Sequence, residues 1–334
     1  FAHAETKALA AAWGMHLDYA PDISGGALFS FLESIGGQEF GMVLGKGGAN
    51  SLVNALTKII HENGGEVLAN SKVTEILLEN GKAIGVRTEN GRSIKAKFVV
   101  ANVNPALIPK LLPTIDKNDE NISKIAKFRP GLGTMMIHLA LSDLPEWKAD
   151  EAKNFNYVHI GPYLDDMAMT YTMAAAGKLP AQPTLVIGQP TVSDPSRAPK
   201  DKHILWIQVR VLPLEITGDA SETISGKSWD DIGEQYADRV IEIIEAYAPG
   251  LKNKILARKV LTPTDLERYN VNLIKGDSLG GSHHPAQFFF LRPVPGWTGH
   301  KTPIKNLYIC GSGTWPGGGV GGGSGLMVAN LLSK

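Results

Sequence analysis

The sequence predicts an α/β region combined with an α+β region, on the basis of three observations. Residues 306–334 read as a short apolar strand, a glycine-rich turn and a helix. Residues 67–101 read as a β-meander, because two Asn-Gly pairs separate short apolar runs. Between residues 113 and 295, predicted strands separated by proline-rich loops accompany one long amphipathic helix, a pattern typical of α+β domains.

The helices are predicted from the spacing of their apolar residues. Five apolar residues repeat at helical spacing between positions 52 and 60, and Gly64-Gly65 follows as an expected stop. Ser228 with Asp231 resembles a capping box before the longest helix. The predicted helices span residues 6–13, 26–35, 50–63, 228–248 and 326–332, with a short one starting near Pro105.

The strands are predicted from short apolar and β-branched runs bounded by turn residues. Those of the meander and the carboxyl-terminal region span residues 67–69, 73–79, 83–88, 93–95, 98–101 and 307–310. Those of the α+β region span residues 133–141, 157–160, 167–173, 184–187 and 204–211.

The glycine-rich turn is the most informative segment, because seven of the twelve residues from Gly311 to Gly322 are glycine. Glycine lets the backbone lie close to a ligand or adopt positive φ. A helix that follows such a turn offers free N–H groups to an anion or a polarised ring. The segment therefore predicts a cofactor site, and the alternative is a flexible glycine-rich tail.

Two glycine motifs imitate nucleotide-binding sequences. Gly317, Gly319 and Gly322 satisfy G-x-G-x-x-G, but only twelve residues follow, too few for the strand and acidic residue of a complete dinucleotide site. The segment 45–48 precedes a helix but lacks both a third glycine and the P-loop spacing. We interpret it as a tight turn into the helix.

Composition excludes several kinds of partner. Basic and acidic residues number 33 each, and no basic stripe indicates nucleic acid or anionic lipid. No apolar stretch reaches membrane-spanning length, so no transmembrane segment is expected. Cys310 is the single cysteine, which excludes an internal disulfide and favours a small core residue over a nucleophile. A cytoplasmic location fits this pattern, and the start at Phe1 suggests a fragment or a processed product.

Other catalytic motifs receive little support. The nine histidines include no helical pair with a glutamate, so a metal site is not expected. No serine completes G-x-S-x-G, which leaves a hydrolase as a minor alternative. The apolar run 288–291 fits either a buried strand or the lining of an apolar ligand site. Arg292 beside it could pair with a carboxylate or satisfy backbone carbonyl groups.

Three carboxyl-terminal segments carry a family resemblance: residues 292–297, 302–313 and 316–320. They resemble the end of phytoene desaturase-like flavoproteins of the amine-oxidase-type superfamily. The most similar branch is named for a pyridine nucleotide-disulphide oxidoreductase domain. Its middle segment is matched by residues 47–56, 64–67, 73–76, 85–86 and 99–102.

The resemblance implies a two-domain protein that holds FAD between an incomplete Rossmann-like FAD-binding domain and a mixed-sheet substrate-binding domain. The FAD-binding domain would comprise residues 43–112 and 297–334, and the substrate-binding domain residues 1–42 and 113–296. The implied cofactor residues are Val73 at the adenine, Asn102 at the end of the cofactor strand, Gly311 and Ser312 at the pyrophosphate and ribityl chain, and Gly318, Gly319 and Val320 at the flavin's pyrimidine edge. The implied substrate-lining residues are Phe290, Arg292, Trp297 and Trp315.

The implied activity is an FAD-dependent oxidoreductase of the desaturase or dehydrogenase type, acting on a C–C or C–N bond of an apolar substrate. No catalytic acid or base can be assigned, and a redox-neutral isomerase is a variant. Family members begin with a strand, a G-x-G-x-x-G turn and a helix that hold the ADP half. By this resemblance, the sequence is similar to the carboxyl-terminal two-thirds of such a fold. The alternative is therefore a substrate-binding or assembly module without flavin, completed by an amino-terminal polypeptide or as a homo-oligomer.

Overall fold

The computed structural model describes residues 2–18, 20–116, 118–161, 163–319 and 321–334. It divides into two compact units. Unit 1 is the chain up to Val67 together with Leu132–Tyr269, and unit 2 is Leu68–Gly131 together with Asn270–Lys334. Residues 68–112 and 297–334 of the predicted FAD-binding domain lie in unit 2, and residues 43–67 lie in unit 1. Unit 2 also contains residues 113–131 and 270–296, which were predicted for the substrate-binding domain. The domain assignment stays a prediction.

The regular elements comprise both α-helices and β-strands. The α-helices in the described ranges are α1 Ala4–Gly14, α2 Ala27–Phe40, α3 Asn50–Glu62, α4 Glu120–Ile125, α5 Leu164–Ala175, α6 Trp229–Tyr247, α7 Leu251–Lys254, α8 Pro263–Tyr269 and α9 Gly323–Leu332. The strands there are β1 Val73–Glu79, β2 Lys82–Thr88, β3 Ser93–Lys95, β4 Val99–Ala101, β5 Gly133–Leu141, β6 Tyr157–Ile160, β7 Lys178–Leu179, β8 Leu185–Gly188, β9 His203–Leu212, β10 Gly218–Asp219, β11 Ile255–Leu261 and β12 Leu307–Ile309.

Unit 1 is built on a five-stranded antiparallel sheet in the order β11-β5-β9-β8-β6. Ser228 caps the start of helix α6, and its Oγ accepts a hydrogen bond of 3.2 Å from the Asp230 N–H. Its buried residues Ile232, Tyr236 and Val240 repeat every four positions and join the sheet residues in one core. The predicted strands and helix of this region are confirmed, except one.

The strand predicted at 167–173 is wrong, because these residues lie within helix α5. Met167, Thr170 and Ala174 are its buried residues, and their spacing places them along one helical face. The β-propensity of the Met, Thr and Tyr residues suggested a strand, but packing of that face decided the structure. Strand β11 was not predicted, since four of its seven residues are exposed and its apolar pattern is weak.

Unit 2 contains the predicted meander as the antiparallel sheet β1-β2-β3. Its first turn places Asn80 and Gly81 at φ of 48° and 73°, as hairpins with Asn-Gly turns require. A second, parallel pair joins β4 to β12, with Leu307 opposite Val99. The glycine-rich turn and helix α9 follow β12, so the predicted strand, turn and helix are formed.

One further strand prediction in the chain is wrong. Residues 67–69 form no strand, and Val67 and Leu68 are about half exposed (48% and 44%). Of the two alternatives for residues 288–291, the buried strand is excluded, because Phe289–Leu291 form a 3₁₀ turn with no buried residue. Helix α3 forms as predicted, but its apolar residues remain exposed, with Leu52 at 51% and Ile59 at 54%. No helix in the described ranges has the length and apolarity to span a bilayer.

Candidate functional site

A cavity of about 390 Å³ lies in unit 2 where β12 ends and α9 begins. Its wall consists almost wholly of small residues and backbone. The lining residues are Asn102, Cys310, Gly311, Ser312, Pro316, Gly317, Gly318, Gly319, Gly321, Gly322, Gly323, Ser324 and Gly325. The cavity therefore brings together five residues predicted for the cofactor: Asn102, Gly311, Ser312, Gly318 and Gly319.

Some glycines of the turn are required by the protein's own packing. Gly311 has a φ of +97°, and a Cβ there would lie 2.0 Å from Asn102 Oδ1. A Cβ on Gly318 would lie 2.7 Å from the Leu279 carbonyl oxygen. Both distances are far inside van der Waals contact, so these positions allow no side chain even without a ligand.

At other positions of the turn, the protein's own packing does not require glycine. A Cβ on Gly321, Gly322 or Gly325 would meet no atom of the described residues within 4 Å, and none of the three has a positive φ. All three line the cavity. The fold thus tolerates side chains there, whereas a molecule lying against the backbone would not.

The start of α9 is tied to the end of β12 by a hydroxyl pair. The Gly311 N–H donates to Ser324 Oγ at 2.9 Å, and Thr314 Oγ1 donates to the Gly311 carbonyl at 2.8 Å. Ser324 Oγ lies 2.8 Å from Thr314 Oγ1. Because the Thr314 proton is used on Gly311, Ser324 is the donor between the two hydroxyl groups. This network fixes the helix terminus, whose first N–H groups have no intrahelical acceptor.

His283 holds the other side of the turn. The Gly318 N–H donates to His283 Nε2 at 2.9 Å, so this nitrogen acts as an acceptor. Burial lowers the pKa of His283 to about 3, with the charge of Arg292 acting in the same direction. The imidazole is therefore neutral at physiological pH, and the Gly318 amide is engaged within the protein.

Of the two roles predicted for Arg292, pairing with a carboxylate or satisfying backbone carbonyl groups, the structure shows the second. The residue is fully buried, and its guanidinium donates to the carbonyl oxygens of Ser312 at 2.6 Å, Ser282 at 2.8 Å and Gly280 at 2.9 Å. It also lies over the Phe128 ring, 5.6 Å from its centre. The prediction that Arg292 lines the substrate site is corrected, because a buried guanidinium held by backbone carbonyls presents no donor to a ligand.

Asp277 completes this internal support. Its carboxylate accepts hydrogen bonds from the N–H groups of Gly131 at 2.9 Å, Leu279 at 2.8 Å and Gly281 at 2.6 Å. Burial raises the pKa of the carboxyl group, while these hydrogen bonds and the charge of Arg292 oppose the shift. Sequence reasoning missed Asp277, Thr314 and His283, and the one available signal was the Gly280-Gly281 pair beside His283.

The other predicted site residues lie apart from the cavity wall. Val73 begins β1 and is 36% exposed, Trp297 is a core residue at 2%, and Phe290 is 75% exposed. The prediction that Trp297 lines a substrate site is therefore corrected. Trp315 packs on Phe289, with ring centres 5.3 Å apart. Val320 lies outside the described residues.

Two chemical features of the site bear on other predictions. Burial raises the pKa of the Cys310 thiol, so this residue of the wall is not an activated nucleophile. Among the described residues, no group of three or more His, Cys, Asp and Glu side chains could hold a metal ion.

The sequence matches known proteins over most of its length. It is 29% identical over 301 residues to the pyridine nucleotide-disulfide oxidoreductase domain-containing protein 2 of Mus musculus, a match that covers 86% of this chain and 50% of that protein. It is also 29% identical over 301 residues to the neurosporene-forming phytoene desaturase of Rhodobacter capsulatus, covering 88% and 54%. The chain thus spans about half the length of these curated relatives.

The fold is shared with a solved structure. An oxidoreductase from Methanosarcina mazei superposes with a TM-score of 0.61 at 18% identity, covering 98% of this chain and 64% of that one. The sequence profile of the family described as flavin containing amine oxidoreductase matches residues 4–242. The chain belongs to this family, as a phytoene desaturase-like member of the amine oxidase superfamily.

Proposed function

We propose that this chain forms part of an FAD-dependent oxidoreductase acting on an apolar substrate, with the flavin held against the turn 311–325. The observation that carries the proposal is the set of glycines whose missing side chains face open cavity rather than protein. Family membership supports flavin as the occupant. The parallel pair β4 and β12 with helix α9 would belong to a Rossmann-like FAD-binding domain.

The chain's own groups would act by position and charge. The N–H groups at the start of α9 and the positive end of its dipole suit an electron-rich ring edge. The Gly318 N–H already donates to His283, so we assign the hydrogen bonds to the flavin's pyrimidine edge to the N–H groups of residues 322–325 and of Gly319. Val320 keeps its proposed role at the same edge. Bound FAD would supply a two-electron acceptor for hydride, which none of these side chains can supply.

Asn102 is placed to contact the same ligand. Its Oδ1 lies 2.0 Å from the ideal Cβ position of Gly311, directly against the turn. We propose that Gly311, Ser312 and Asn102 adjoin the pyrophosphate and ribityl part of FAD, as the resemblance implies. Val73 remains a proposed adenine contact through its backbone.

The substrate is proposed from the relatives. A phytoene desaturase among them suggests dehydrogenation of a C–C bond in an apolar molecule. Phe290 and Trp315 keep their proposed substrate role, because Phe290 is exposed and Trp315 belongs to an aromatic cluster with Phe288 and Phe289. Arg292 and Trp297 are withdrawn from it.

Flavin binding can be tested with a matched pair of variants. The chain mixed with FAD and passed through a desalting column should retain absorbance bands near roughly 370 and 450 nm. Gly321→Ala places a methyl group in the cavity without contact to any described residue. FAD affinity should therefore fall about 5- to 150-fold, which corresponds to the usual overpacking cost of about 1–3 kcal/mol. Gly299→Ala is the control, because its added Cβ would also have no atom of the described residues within 4 Å and Gly299 does not line the cavity.

The outcomes separate the alternatives. Equal FAD retention by the Gly321→Ala chain and the unaltered chain would show that the flavin does not lie on this turn. A chain that stays colourless with added FAD would favour the module that binds no flavin.

A further inference from the structure

Unit 1 contains a second cavity that the flavin proposal does not use. Its volume is about 500 Å³, within the range of small-molecule sites. Helix α1, the end of β6 and the start of α5 form its wall. The floor is apolar and buried, with Ala12 at 8%, Ile160 at 8% and Met167 at 1% exposure.

The wall also carries polar side chains, of which Glu5, Tyr163, Gln182 and Tyr247 are exposed and His159 is partly buried. His159 lines the cavity, and its Nε2 lies 3.0 Å from Nε2 of His16. Trp13 packs on both imidazoles, with ring centres 5.2 Å from each. Within the described part of the chain, no group is hydrogen-bonded to Nδ1 of His159.

The histidine pair is neutral. Burial lowers the pKa of His16 to about 3 and that of His159 below its ordinary value, and the charge of Arg210 adds to both shifts. Only one proton can occupy the bond between the two Nε2 atoms. Whichever ring donates it, His159 keeps one nitrogen that can donate or accept a second hydrogen bond.

Charge around the cavity selects against ions. The Arg210 guanidinium donates to the His16 carbonyl behind the pair, which disfavours a cation at His159. An anion would gain no compensation for its lost hydration on the apolar floor, and the exposed Glu5 carboxylate in the wall carries a like charge. An uncharged ligand is left as the best match to the site.

We propose that this cavity binds an uncharged, mainly apolar small molecule through one carbonyl or hydroxyl group, with His159 as its hydrogen-bond partner. Mainly apolar walls with a small number of polar groups that fix the ligand's orientation are typical of such sites. The proposal does not depend on flavin binding in unit 2.

The test uses a propionyl-dimethylaminonaphthalene fluorophore, which is neutral, apolar and carries one carbonyl group. The full chain should bind it saturably with blue-shifted emission. His159→Phe keeps the ring but loses the hydrogen bond, so affinity should fall about fivefold. The matched propyl analogue lacks the carbonyl and should bind both proteins equally. His61→Phe on α3 changes an exposed histidine and is the control.

Blocking variants locate the bound probe. Ala8→Trp and Leu9→Trp both fill the cavity from α1, and Leu9 is 73% exposed, so at least this second variant should fold. Either should abolish saturable binding. Three results would overturn the proposal. They are undiminished binding in both folded blocking variants, no saturable binding by the unaltered chain, and equal losses of affinity for both probes in His159→Phe. Retention of FAD is measured separately, so failure of one site leaves the other result standing.

Discussion

Replacing Arg292 with methionine tests whether this residue supports the glycine-rich turn or serves a substrate. Methionine keeps much of the apolar stem beside Phe128 but removes the guanidinium. Three carbonyl oxygens, of Gly280, Ser282 and Ser312, then lose a charged donor in a site closed to water. Asp277 loses a nearby positive charge as well.

The expected loss of unit 2 stability is about 3–5 kcal/mol. A hydrogen bond from a charged donor contributes roughly 1.5–3 kcal/mol, so three of them give a larger gross sum. The variant no longer incurs the desolvation cost of burying a guanidinium, so its net loss of unfolding free energy is smaller than this sum. The expected net loss equals the value of about 3–5 kcal/mol typical of removing one partner of a buried charged pair. This is a large fraction of a typical domain stability of about 5–15 kcal/mol.

Hydrogen exchange read by mass spectrometry resolves the two units. A loss of about 3–5 kcal/mol should speed exchange of the slowest unit 2 amides by roughly a hundredfold to several thousandfold, since each 1.4 kcal/mol is tenfold. Unit 1 amides should change little. Arg92→Met, at an exposed position of unit 2, is the control. An effect of Arg292→Met as small as that of the control would refute the structural role.

Three further outcomes are expected. In unit 1, the pKa of Asp219 is lowered, because hydrogen bonds from Arg239 and from the Thr223 and Ile224 N–H groups outweigh burial, which would raise it. The ionised Asp219 therefore stabilises the fold fully above the ordinary aspartate pKa of 3.8, and this stabilisation is lost as pH falls below that value. Urea titrations between about pH 5 and pH 2 should show that Asp219→Asn lacks this part of the acid sensitivity. Gly188→Ala puts a Cβ 2.0 Å from the Trp206 ring and should lower the free energy of unfolding by about 1–3 kcal/mol, whereas an unchanged midpoint would contradict this packing. Cys310 should react with iodoacetamide more slowly than free cysteine near pH 8, about the thiol's usual titration range, and a faster reaction would contradict the burial-raised pKa.

Local signals were sufficient to predict much of the fold. Helix α6 has both a capping Ser228 and a regular apolar stripe, and the turn at Asn80-Gly81 has residues suited to positive φ. Strand β5 alternates buried and exposed residues along its second half. In each case the residues that decide the structure are neighbours along the chain, so the pattern is visible in the sequence.

Contacts between distant segments were not predictable in this way. The Asp277 carboxylate reaches Gly131, which is 146 positions away, and Gln287 bonds Arg129 at both its backbone N–H and carbonyl. No periodicity marks such pairs. For the same reason, the aromatic residues near Arg292 suggested a ligand lining, although the arginine is enclosed by backbone carbonyl groups.

The glycine-rich turn shows most clearly what the structure adds, because the sequence presents its glycines as equivalent. Gly311 is needed for close packing against Asn102, and Gly319 has a φ of +134°, so a side chain at either position disturbs the backbone with or without a ligand. A loss of FAD binding in Gly319→Val could therefore come from backbone strain or from a clash with the ligand, and the two causes could not be separated. Gly321 has neither constraint, and an added methyl group there enters only the cavity. A loss of FAD from Gly321→Ala with unchanged stability can thus be assigned to a clash with the flavin itself, which no substitution at Gly311 or Gly319 can establish.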